Sequence, residues 1–336
     1  MAKVSIIGSG TWGTALAVVL SDNGHEVTVW SKIPQEIQAF RETHEHKNLP
    51  GVILDDGISF TTDIEEAVSG KDLLVLSVPS VYVRATAKEM APFVREGQII
   101  TCVAKGIEED TLMTLTQQIA EEIPAADVTC LSGPSHAEEV GRRIPTSVVV
   151  GASCKATAQK VQDIFMNGVF RVYISPDMLG IELGAALKNV IALAAGVADG
   201  IGYGDNTKAA LITRGMAEIA RLGIKMGGNS HTFYGLSGIG DLIVTCESIH
   251  SRNRRAGILI GQGASMEEAM EQVQMVVEGV YSAKAAKALA EKYDVKMPIV
   301  EYANKILFEG MDPRLAVGEL MLRDKTDENV LVGWDK

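Results

Sequence analysis

The segment Met178–Asp199, MLGIELGAALKNVIALAAGVAD, decides how the rest of the chain is divided. It contains no proline and is apolar on every side, which is typical of a helix buried inside a protein. Lys188 interrupts this run, although a lysine is rarely buried without a partner. Gly184 and Ala185, one turn earlier, are predicted to leave open space beside its amine. The alternative is a lysine that extends along its own stem to solvent.

The chain changes character at this segment. Short apolar strands alternate with helices before it, and helical patterns follow it. This alternation predicts an α/β, Rossmann-type, doubly wound and mostly parallel sheet, followed by an all-α domain. We therefore place a dinucleotide-binding domain at 1–177 and an all-α substrate and catalytic domain at 178–336. Lys188 is expected to face the space that the two domains enclose.

A glycine-rich loop follows the first predicted strand. The strand Lys3–Ile7 continues into Gly8-Ser9-Gly10-Thr11-Trp12-Gly13, a helix over Thr14–Asn23 and a strand at Val27–Trp30. The first glycine permits a tight turn, the second lets the backbone approach a pyrophosphate, and the third lets the helix pack closely on the strand. The helix N-terminus would face the phosphates. The pattern predicts a dinucleotide site.

Polar residues follow three later strands. The turn Val78–Ser80 follows Asp72–Ser77, Lys105 follows Gln98–Ala104, and Ser135 follows Val128–Leu131, with helices predicted over Val81–Phe93 and Thr111–Glu122. Ligands of such sheets bind at the carboxyl ends of the strands, so these residues should lie at the edge that carries the glycine loop. The alternatives are ordinary turn residues and a solvated lysine.

Two segments of the second half offer further polar groups. Asp241 ends the glycine-rich stretch from Gly235, and it would either cap the helix from Leu242 or orient Lys188. Ser251-Arg-Asn-Arg-Arg255 places three arginines in five residues of an acidic protein. Arginine matches phosphate bidentately, and Ser251 would begin a helix with free N–H groups. A solvated charged face is the alternative.

Composition excludes several functions. The chain has 336 residues and a net charge of −12, which argues against nonspecific binding to nucleic acid or anionic membranes. Its apolar runs are shorter than the about 18 residues of a membrane span, and no leader pattern opens the sequence, so we expect a cytoplasmic protein. No metal site is expected, because the four cysteines, Cys102, Cys130, Cys154 and Cys246, lie far apart without ligand spacing. Of the six histidines, His136, His231 and His250 have no ligand spacing with one another and are interpreted as local polar residues.

Together these features predict one chemistry. Hydride transfer between a nicotinamide and a secondary alcohol needs a base for the hydroxyl proton. Burial lowers the pKa of a lysine because it disfavours the charged form. Lys188 would therefore serve as a base near neutral pH, and its ammonium would return the proton in the reverse direction.

Eight stretches of the chain form an ordered set of motifs: Gly8–Ala17, Ser77–Ser80, Ala104–Gly106, Ser132–Glu139, Ala186–Val190, Gly235–Leu242, Ser251–Arg255 and Glu278-Gly279. Through these motifs the chain resembles the NAD(P)-dependent glycerol-3-phosphate dehydrogenases of the bacterial type over nearly its whole length. His136 stands where the family often has an aromatic residue and Ser237 where alanine is common, and neither position has an assigned chemical role.

The resemblance implies reversible oxidation of sn-glycerol 3-phosphate to dihydroxyacetone phosphate, run mainly toward glycerol 3-phosphate for phospholipid synthesis. It implies that Lys188 is the proton acceptor, supported by Asp241 and Lys105. Substrate contacts are expected from Lys105, Gly133, Ser135, Lys188, Asp241, Ser251, Arg252 and Asn253. Cofactor contacts are expected from the glycine loop and from residues elsewhere in the chain. These residues are Gly8, Ser9, Gly10, Thr11, Trp12, Gly13, Lys32, Lys105, Ala137, Arg252, Val276 and Glu278.

The cofactor is expected to be NADP or NAD, with NADP preferred. NAD-selective Rossmann domains carry an acidic residue near the end of the second strand. Here that strand ends in Ser31-Lys32, and the next carboxylate is Glu36. The sequence therefore predicts that nothing repels a 2′-phosphate, while Lys32 attracts it. Lysine selects less sharply than arginine, so a bias rather than exclusivity is expected.

Two other functions remain open from the sequence. One is a different two-domain hydroxyacid or sugar-acid dehydrogenase, which would not need the arginine cluster. The other is a nonenzymatic dinucleotide-sensing protein, which the acidic charge and the lack of a basic segment disfavour. A homodimer is an assembly that the sequence leaves open.

Overall fold

The structure, a computed structural model, describes residues 1–328. The strands are β1 Lys3–Ile7, β2 Glu26–Trp30, β3 Ser59–Thr61, β4 Leu73–Leu76, β5 Ile99–Cys102, β6 Asp127–Ser132, β7 Thr146–Ala152 and β8 Phe170–Ser175. The α-helices among them are α1 Thr11–Asp22, α2 Pro34–Thr43, α3 Ile64–Val68, α4 Val83–Met90, α5 Leu115–Glu122, α6 Ala137–Val140 and α7 Lys155–Phe165. The later α-helices are α8 Met178–Ile201, α9 Asp205–Lys225, α10 Ser230–Phe233, α11 Asp241–Glu247, α12 Arg252–Gly261, α13 Met266–Val273, α14 Glu278–Lys292, α15 Pro298–Phe308 and α16 Pro313–Met321.

The strands form one eight-stranded sheet in the order β3-β2-β1-β4-β5-β6-β7-β8. Every neighbouring pair is parallel except β6 and β7, which are antiparallel. The order reverses direction between β1 and β4, which is where doubly wound sheets bind their ligands. The predicted fold class is therefore confirmed, with one antiparallel strand pair added.

Helices cover both faces of this sheet because its strands alternate two apolar faces. Ile6 and Val75 belong to the cluster that contains residues of α1, α2 and α7. Their neighbours Ile7 and Leu76 belong to the opposite cluster, which contains residues of α3, α4 and α5. Both faces of the sheet are therefore buried. Polar side chains that could bind a ligand lie at the ends of the strands.

Helix α8 is the centre of the helical half. It is long and apolar enough to cross a membrane, yet 94% of its most apolar window is buried inside the protein, so it is a core helix. Helix α12 packs directly on it through glycines. A Cβ on Gly196 would lie 2.1 Å from Arg254 O, and one on Gly257 would lie 2.1 Å from Leu193 O. Glycine is required at both positions, because a side chain would not fit between the two helix backbones at this distance.

Two predicted helices are shorter than expected. The helix predicted over Val81–Phe93 is an α-helix only at Val83–Met90, flanked by 3₁₀ turns, the second of which contains Pro92. The helix predicted from Thr111 begins at Leu115, where Thr114 and Gln117 form a capping box. The domain boundary at 177/178 stays a prediction, and residues 329–336 of the second predicted domain lie outside the described residues.

Candidate active site

The glycine loop has the geometry that a bound pyrophosphate requires. Gly8 has a φ of +116°, and a Cβ there would lie 2.8 Å from the Ser77 carbonyl carbon at the end of β4. A Cβ on Gly13 would lie 2.3 Å from Gly8 O, so α1 and the loop pack too closely for any other residue. Gly10 instead has no neighbouring heavy atom within 4 Å of such a Cβ. The backbone is therefore open to a ligand at Gly10.

Buried polar atoms without partners surround this loop. Thr11 Oγ1, Trp12 Nε1 and Ser77 Oγ are buried and have no hydrogen-bond partner among the described residues. Gly10 precedes α1 without a side-chain cap, so the first N–H groups of the helix are available as well. Unpaired buried polar atoms are costly. The unpaired atoms of Thr11, Trp12 and Ser77 fit a site in which a bound dinucleotide supplies the missing hydrogen-bond partners, so these three residues would hold the dinucleotide.

The predicted catalytic residues form one buried cluster. Lys188 Nζ lies 2.5 Å from Asp241 Oδ1, and Lys105 Nζ lies 2.6 Å from Asp241 Oδ2. Asp241 and Lys188 are 1% and 4% exposed, so both charges lie inside the protein. Lys105 also donates to Gly133 O at 3.2 Å, and Ser135 Oγ donates to the same oxygen at 3.0 Å. The strand-end residues Lys105 and Ser135 thus lie together, as the sheet rule predicts, and the α8 lysine meets them through Asp241.

The cluster perturbs its own ionisation. Burial lowers the pKa of Lys188 to about 7, and the positive charge of Lys105 acts in the same direction, while Asp241 opposes both. Burial would raise the pKa of Asp241, but Lys105 and Lys188 together hold it below its ordinary value. Asp241 is therefore ionised, and Lys188 exchanges a proton near neutral pH.

Thr245 is a member of the cluster that the sequence did not reveal. Lys188 Nζ donates to Thr245 Oγ1 at 2.6 Å, and this hydroxyl donates to Asp241 O at 2.6 Å. Thr245 follows Asp241 by four residues, so both side chains lie on one face of α11. The four-residue spacing between Asp241 and Thr245 was the feature of the sequence from which this neighbour could have been predicted. Asp241 is the first residue of α11 and makes no side-chain cap, so the capping interpretation is wrong.

The predicted open space beside Lys188 is also wrong at Gly184. A Cβ on Gly184 would lie 2.7 Å from Ser237 O, because the π turn Leu236–Gly240 packs against α8 there. The small residue serves a close contact between two backbones. That contact positions the start of α11 next to α8, which brings Asp241 to Lys188.

The residues of the Ser251–Arg255 segment have different roles in the structure. Ser251 caps α12, its Oγ accepting from Arg254 N at 3.2 Å, as predicted for a helix start. Asn253 Nδ2 donates to Asn189 Oδ1 at 2.9 Å, which ties α12 to the residue after Lys188. Arg254 pairs with Asp199 at 2.7 Å and is structural. Arg252 NH1 donates to Val276 O at 3.1 Å.

The remaining predicted cofactor residues come from the helical half and from α6. Glu278 accepts from Ser80 N at 3.1 Å and from Ser80 Oγ, which links α14 to the turn after β4. Burial raises the pKa of Glu278, while Ser80 and Arg252 act against that rise. Ala137 begins α6 and packs against the sheet core together with Trp12. Glu278 is thus joined to the strand-end turn at Ser80, and Ala137 shares a hydrophobic cluster with Trp12 of the glycine loop.

The carboxylate of Glu36 lies next to the glycine loop, although the sequence predicted no carboxylate there. Glu36 Oε2 accepts from Ser9 Oγ at 2.6 Å and from Ser31 Oγ at 2.7 Å. Lys32, whose side chain is 74% exposed, pairs with Glu89 at 2.9 Å. The premise that no carboxylate stands beside Ser31 is therefore wrong. The expected preference for NADP stays a prediction.

His136 lies closer to the catalytic cluster than its sequence context suggested. Its Nε2 is buried without a hydrogen-bond partner among the described residues. Burial lowers the pKa of His136 to about 4, and Lys188 and Lys105 act in the same direction. The imidazole is consequently neutral at physiological pH. Among residues 1–328, no group of three or more His, Cys, Asp or Glu side chains is arranged to hold a metal ion.

Family models match both halves of the chain. The model described as the NAD-dependent glycerol-3-phosphate dehydrogenase N-terminus matches residues 3–158, and the one described as its C-terminus matches residues 177–318.

The chain belongs to the NAD-dependent glycerol-3-phosphate dehydrogenase family.

Relatives named glycerol-3-phosphate dehydrogenase [NAD(P)+] match nearly the whole chain. The protein of Agathobacter rectalis is 64% identical, covering 99% of this chain and 100% of its own. That of Bacillus subtilis is 53% identical, covering 98% of this chain and 96% of its own. The crystal structure of glycerol-3-phosphate dehydrogenase from Coxiella burnetii superposes with a TM-score of 0.92 at 33% identity, covering 96% of this chain and 99% of that one. The family prediction is confirmed.

Two less similar solved structures share the fold of this chain. A ketopantoate reductase from Ralstonia eutropha and a D-mandelate dehydrogenase superpose with TM-scores of 0.62 and 0.63 at 16% and 15% identity. The glycerol-3-phosphate dehydrogenase family therefore accounts for this chain better than a different hydroxyacid enzyme does. Because the family is one of dehydrogenases that use NAD or NADP, the nonenzymatic sensor is no longer needed as an alternative.

Proposed function

We propose that the chain transfers hydride reversibly between NAD(P) and sn-glycerol 3-phosphate or dihydroxyacetone phosphate. The observation that supports this most directly is the buried cluster of Lys188, Asp241 and Lys105 at the strand ends beside the glycine loop. The relatives carry this activity in their names. A spectrophotometric assay with dihydroxyacetone phosphate and NAD(P)H tests it, and no oxidation of either cofactor would contradict it.

The oxidation step needs one base. When bound, the oxidised nicotinamide would accept the hydride, which leaves the C2 carbon with both electrons of the C–H bond. Neutral Lys188 takes the hydroxyl proton as the C–O single bond becomes a carbonyl, which balances the charge of the step. In the reduction the Lys188 ammonium returns that proton to the oxygen. Because its pKa is lowered to about 7, Lys188 serves both directions near neutral pH.

The other residues position this base and the substrate. Asp241 and Thr245 hold the Lys188 amine through the contacts described above. Lys105 and Ser135 both donate to Gly133 O beside the cluster, and Asn253 of α12 is bonded to Asn189, the residue after Lys188. Substrate binding is assigned to Lys105, Gly133, Ser135, Lys188, Asp241, Ser251, Arg252 and Asn253.

Cofactor binding is assigned to the glycine loop and the residues facing it. These residues are Gly8, Ser9, Gly10, Thr11, Trp12, Gly13, Lys32, Lys105, Ala137, Arg252, Val276 and Glu278. Residues 1–177 would then form the dinucleotide domain and 178–336 the substrate domain. The enzyme would act in the cytoplasm, without nucleic acid or membrane insertion, and supply glycerol 3-phosphate for phospholipids. A homodimer is the assembly we propose.

Arg252→Ala is expected to weaken substrate use much more than folding. Among the described residues the Arg252 guanidinium donates one hydrogen bond, to Val276 O, which leaves other N–H groups for a phosphate. Hydrogen bonds to charged groups contribute about 1.5–3 kcal/mol each, so kcat/KM should fall roughly 10–100-fold. Steady-state kinetics with dihydroxyacetone phosphate measure it.

Arg254→Ala is the matched control, because Arg254 lies in the same helix but pairs with Asp199. It should lower the melting temperature and leave KM for the phosphate ester nearly unchanged. Unphosphorylated dihydroxyacetone should be a very poor substrate of the wild type. Equal use of dihydroxyacetone and its phosphate would show that Arg252 does not bind a phosphate.

Wild type is expected to favour NADPH over NADH, because Lys32 offers a positive charge to a 2′-phosphate. Ser31 can donate its hydroxyl to that phosphate only by releasing Glu36. The side chain of Lys32 is exposed, so it can exchange Glu89 for a ligand. The measurement is kcat/KM for both cofactors, in wild type and in Ser31→Asp/Lys32→Ala, which should shift toward NADH. A wild type that favours NADH by about tenfold or more would contradict the expectation.

A further inference from the structure

We propose that Glu36 is a cofactor-specificity residue that opposes binding of a 2′-phosphate and favours the free ribose hydroxyl of NAD(H). The inference rests on the proposed function, because it concerns the dinucleotide of that reaction. It assigns to α2 a role that Rossmann domains usually give to an acidic residue at the end of the second strand.

The contacts of Glu36 carry this inference. Its Oε2 atom accepts hydrogen bonds from Ser9 Oγ in the glycine loop and from Ser31 Oγ just after β2. Both serines are 4% exposed, whereas Glu36 is half-buried, so part of its side chain remains accessible to a ligand. In a Rossmann domain the adenosine ribose is bound between the glycine loop and the end of the second strand. The carboxylate therefore bridges the two segments that the ribose contacts.

A local turn brings Glu36 back to this edge. Ser31 Oγ accepts from Ile33 N at 3.2 Å, which bends the chain directly after β2. Pro34 then begins α2, and Glu36 lies in its first turn. The carboxylate thus reaches the position of a strand-end acid although it comes five residues after Ser31 in the sequence. The residues at the strand end alone therefore do not reveal this acid.

Charge determines which cofactor this geometry favours. A carboxylate accepts hydrogen bonds and repels another anion, so it suits a ribose hydroxyl and opposes a 2′-phosphate. Lys32, the cation next to Ser31 in the chain, pairs with Glu89 instead of Glu36. Lys32 and Glu36 therefore act in opposite directions on the cofactor preference, and Glu36 limits the advantage that Lys32 gives to NADPH.

Glu36 also has a structural alternative. An acidic residue in the first turn of a helix stabilises that helix through the macrodipole. In that case Glu36→Gln would lower the melting temperature without changing the ratio of affinities for the two cofactors. The two roles are separated by measuring the ratio rather than either affinity alone.

The test is isothermal titration of the whole enzyme with NADH, NADPH, ADP-ribose and 2′-phospho-ADP-ribose, for wild type, Glu36→Gln and Glu42→Gln. Glutamine still accepts from both serines, so the fold should survive. Glu42 is an exposed residue of the same helix, so its variant matches the change in net charge. We expect Glu36→Gln to raise the affinity ratio of phosphorylated to unphosphorylated ligand about tenfold or more, and Glu42→Gln to leave it unchanged.

The same ratio is then measured as kcat/KM for NADPH against NADH, which should rise in parallel. An unchanged ratio in Glu36→Gln, or an equal rise in Glu42→Gln, would overturn the inference. If Glu36→Gln does not fold, Glu36→Asp withdraws the carboxylate from the serines and should move the ratio in the same direction, and no movement there would overturn it as well. A wild type that binds neither dinucleotide would instead refute the proposed function.

Discussion

Replacing Lys188 with methionine is expected to remove turnover while leaving cofactor binding nearly intact. Lys188 is the buried amine that we propose as the general base, and loss of a general base typically costs about 10²–10⁴-fold in rate. Methionine nearly preserves the volume of the stem, so the packing of α8 should survive. Asp241 keeps its partner Lys105 in the variant, so no isolated buried charge remains. Single-turnover kinetics with bound NADPH measure the loss.

Lys208→Met is the matched control for this variant. Lys208 pairs with Asp199 at 3.0 Å and its side chain is 12% exposed, but it lies outside the catalytic cluster. It should lose stability and keep kcat. If Lys188→Met retained more than about a tenth of wild-type kcat, Lys188 would not be the base. A lowered melting temperature with normal activity would show that its role is structural.

The sequence predicted where several residues of the candidate site lie, because local rules were sufficient for them. The glycine loop carries its own geometric signature, and strand ends of a parallel sheet meet at one edge, so Gly8, Gly13 and Lys105 were placed correctly from these two rules alone. The burial of Lys188 followed from the apolar residues on every side of α8.

What the sequence could not predict depends on contacts between distant segments. Gly184 was interpreted as open space, but the π turn occupies that space, and no local pattern reports which backbone will pack there. Asp241 had two interpretations until α11 was placed against α8, and Thr245 followed from that placement. Glu36 was discounted by its distance from the strand end, because the turn at Ser31 could not be inferred from spacing.

Asp241→Asn is expected to destabilise the protein strongly at pH 6 and less at pH 8. Asp241 is 1% exposed and bonded to two lysines, and removing one partner of a buried ion pair costs about 3–5 kcal/mol. Asparagine has nearly the same shape, so the loss is mainly one of charge. Turnover should fall as well, because the Lys188 amine loses the acceptor that orients it.

The pH dependence follows from the proton on Lys188. Burial already lowers its pKa from 10.5 to about 7 against the opposing effect of Asp241, so removing that carboxylate lowers the pKa further. Below 10.5 the unfolded chain keeps this proton, while the folded variant releases it at a lower pH than wild type does. Wherever the unfolded state binds more protons, stability rises with pH, by about 1.4 kcal/mol per unit for one proton. Between pH 6 and 7 the variant therefore gains stability that wild type does not, and above about 7 both gain equally. Urea unfolding of both proteins at pH 6 and pH 8 measures this difference, and equal destabilisation at the two pH values would mean that Asp241 does not control the ionisation of Lys188.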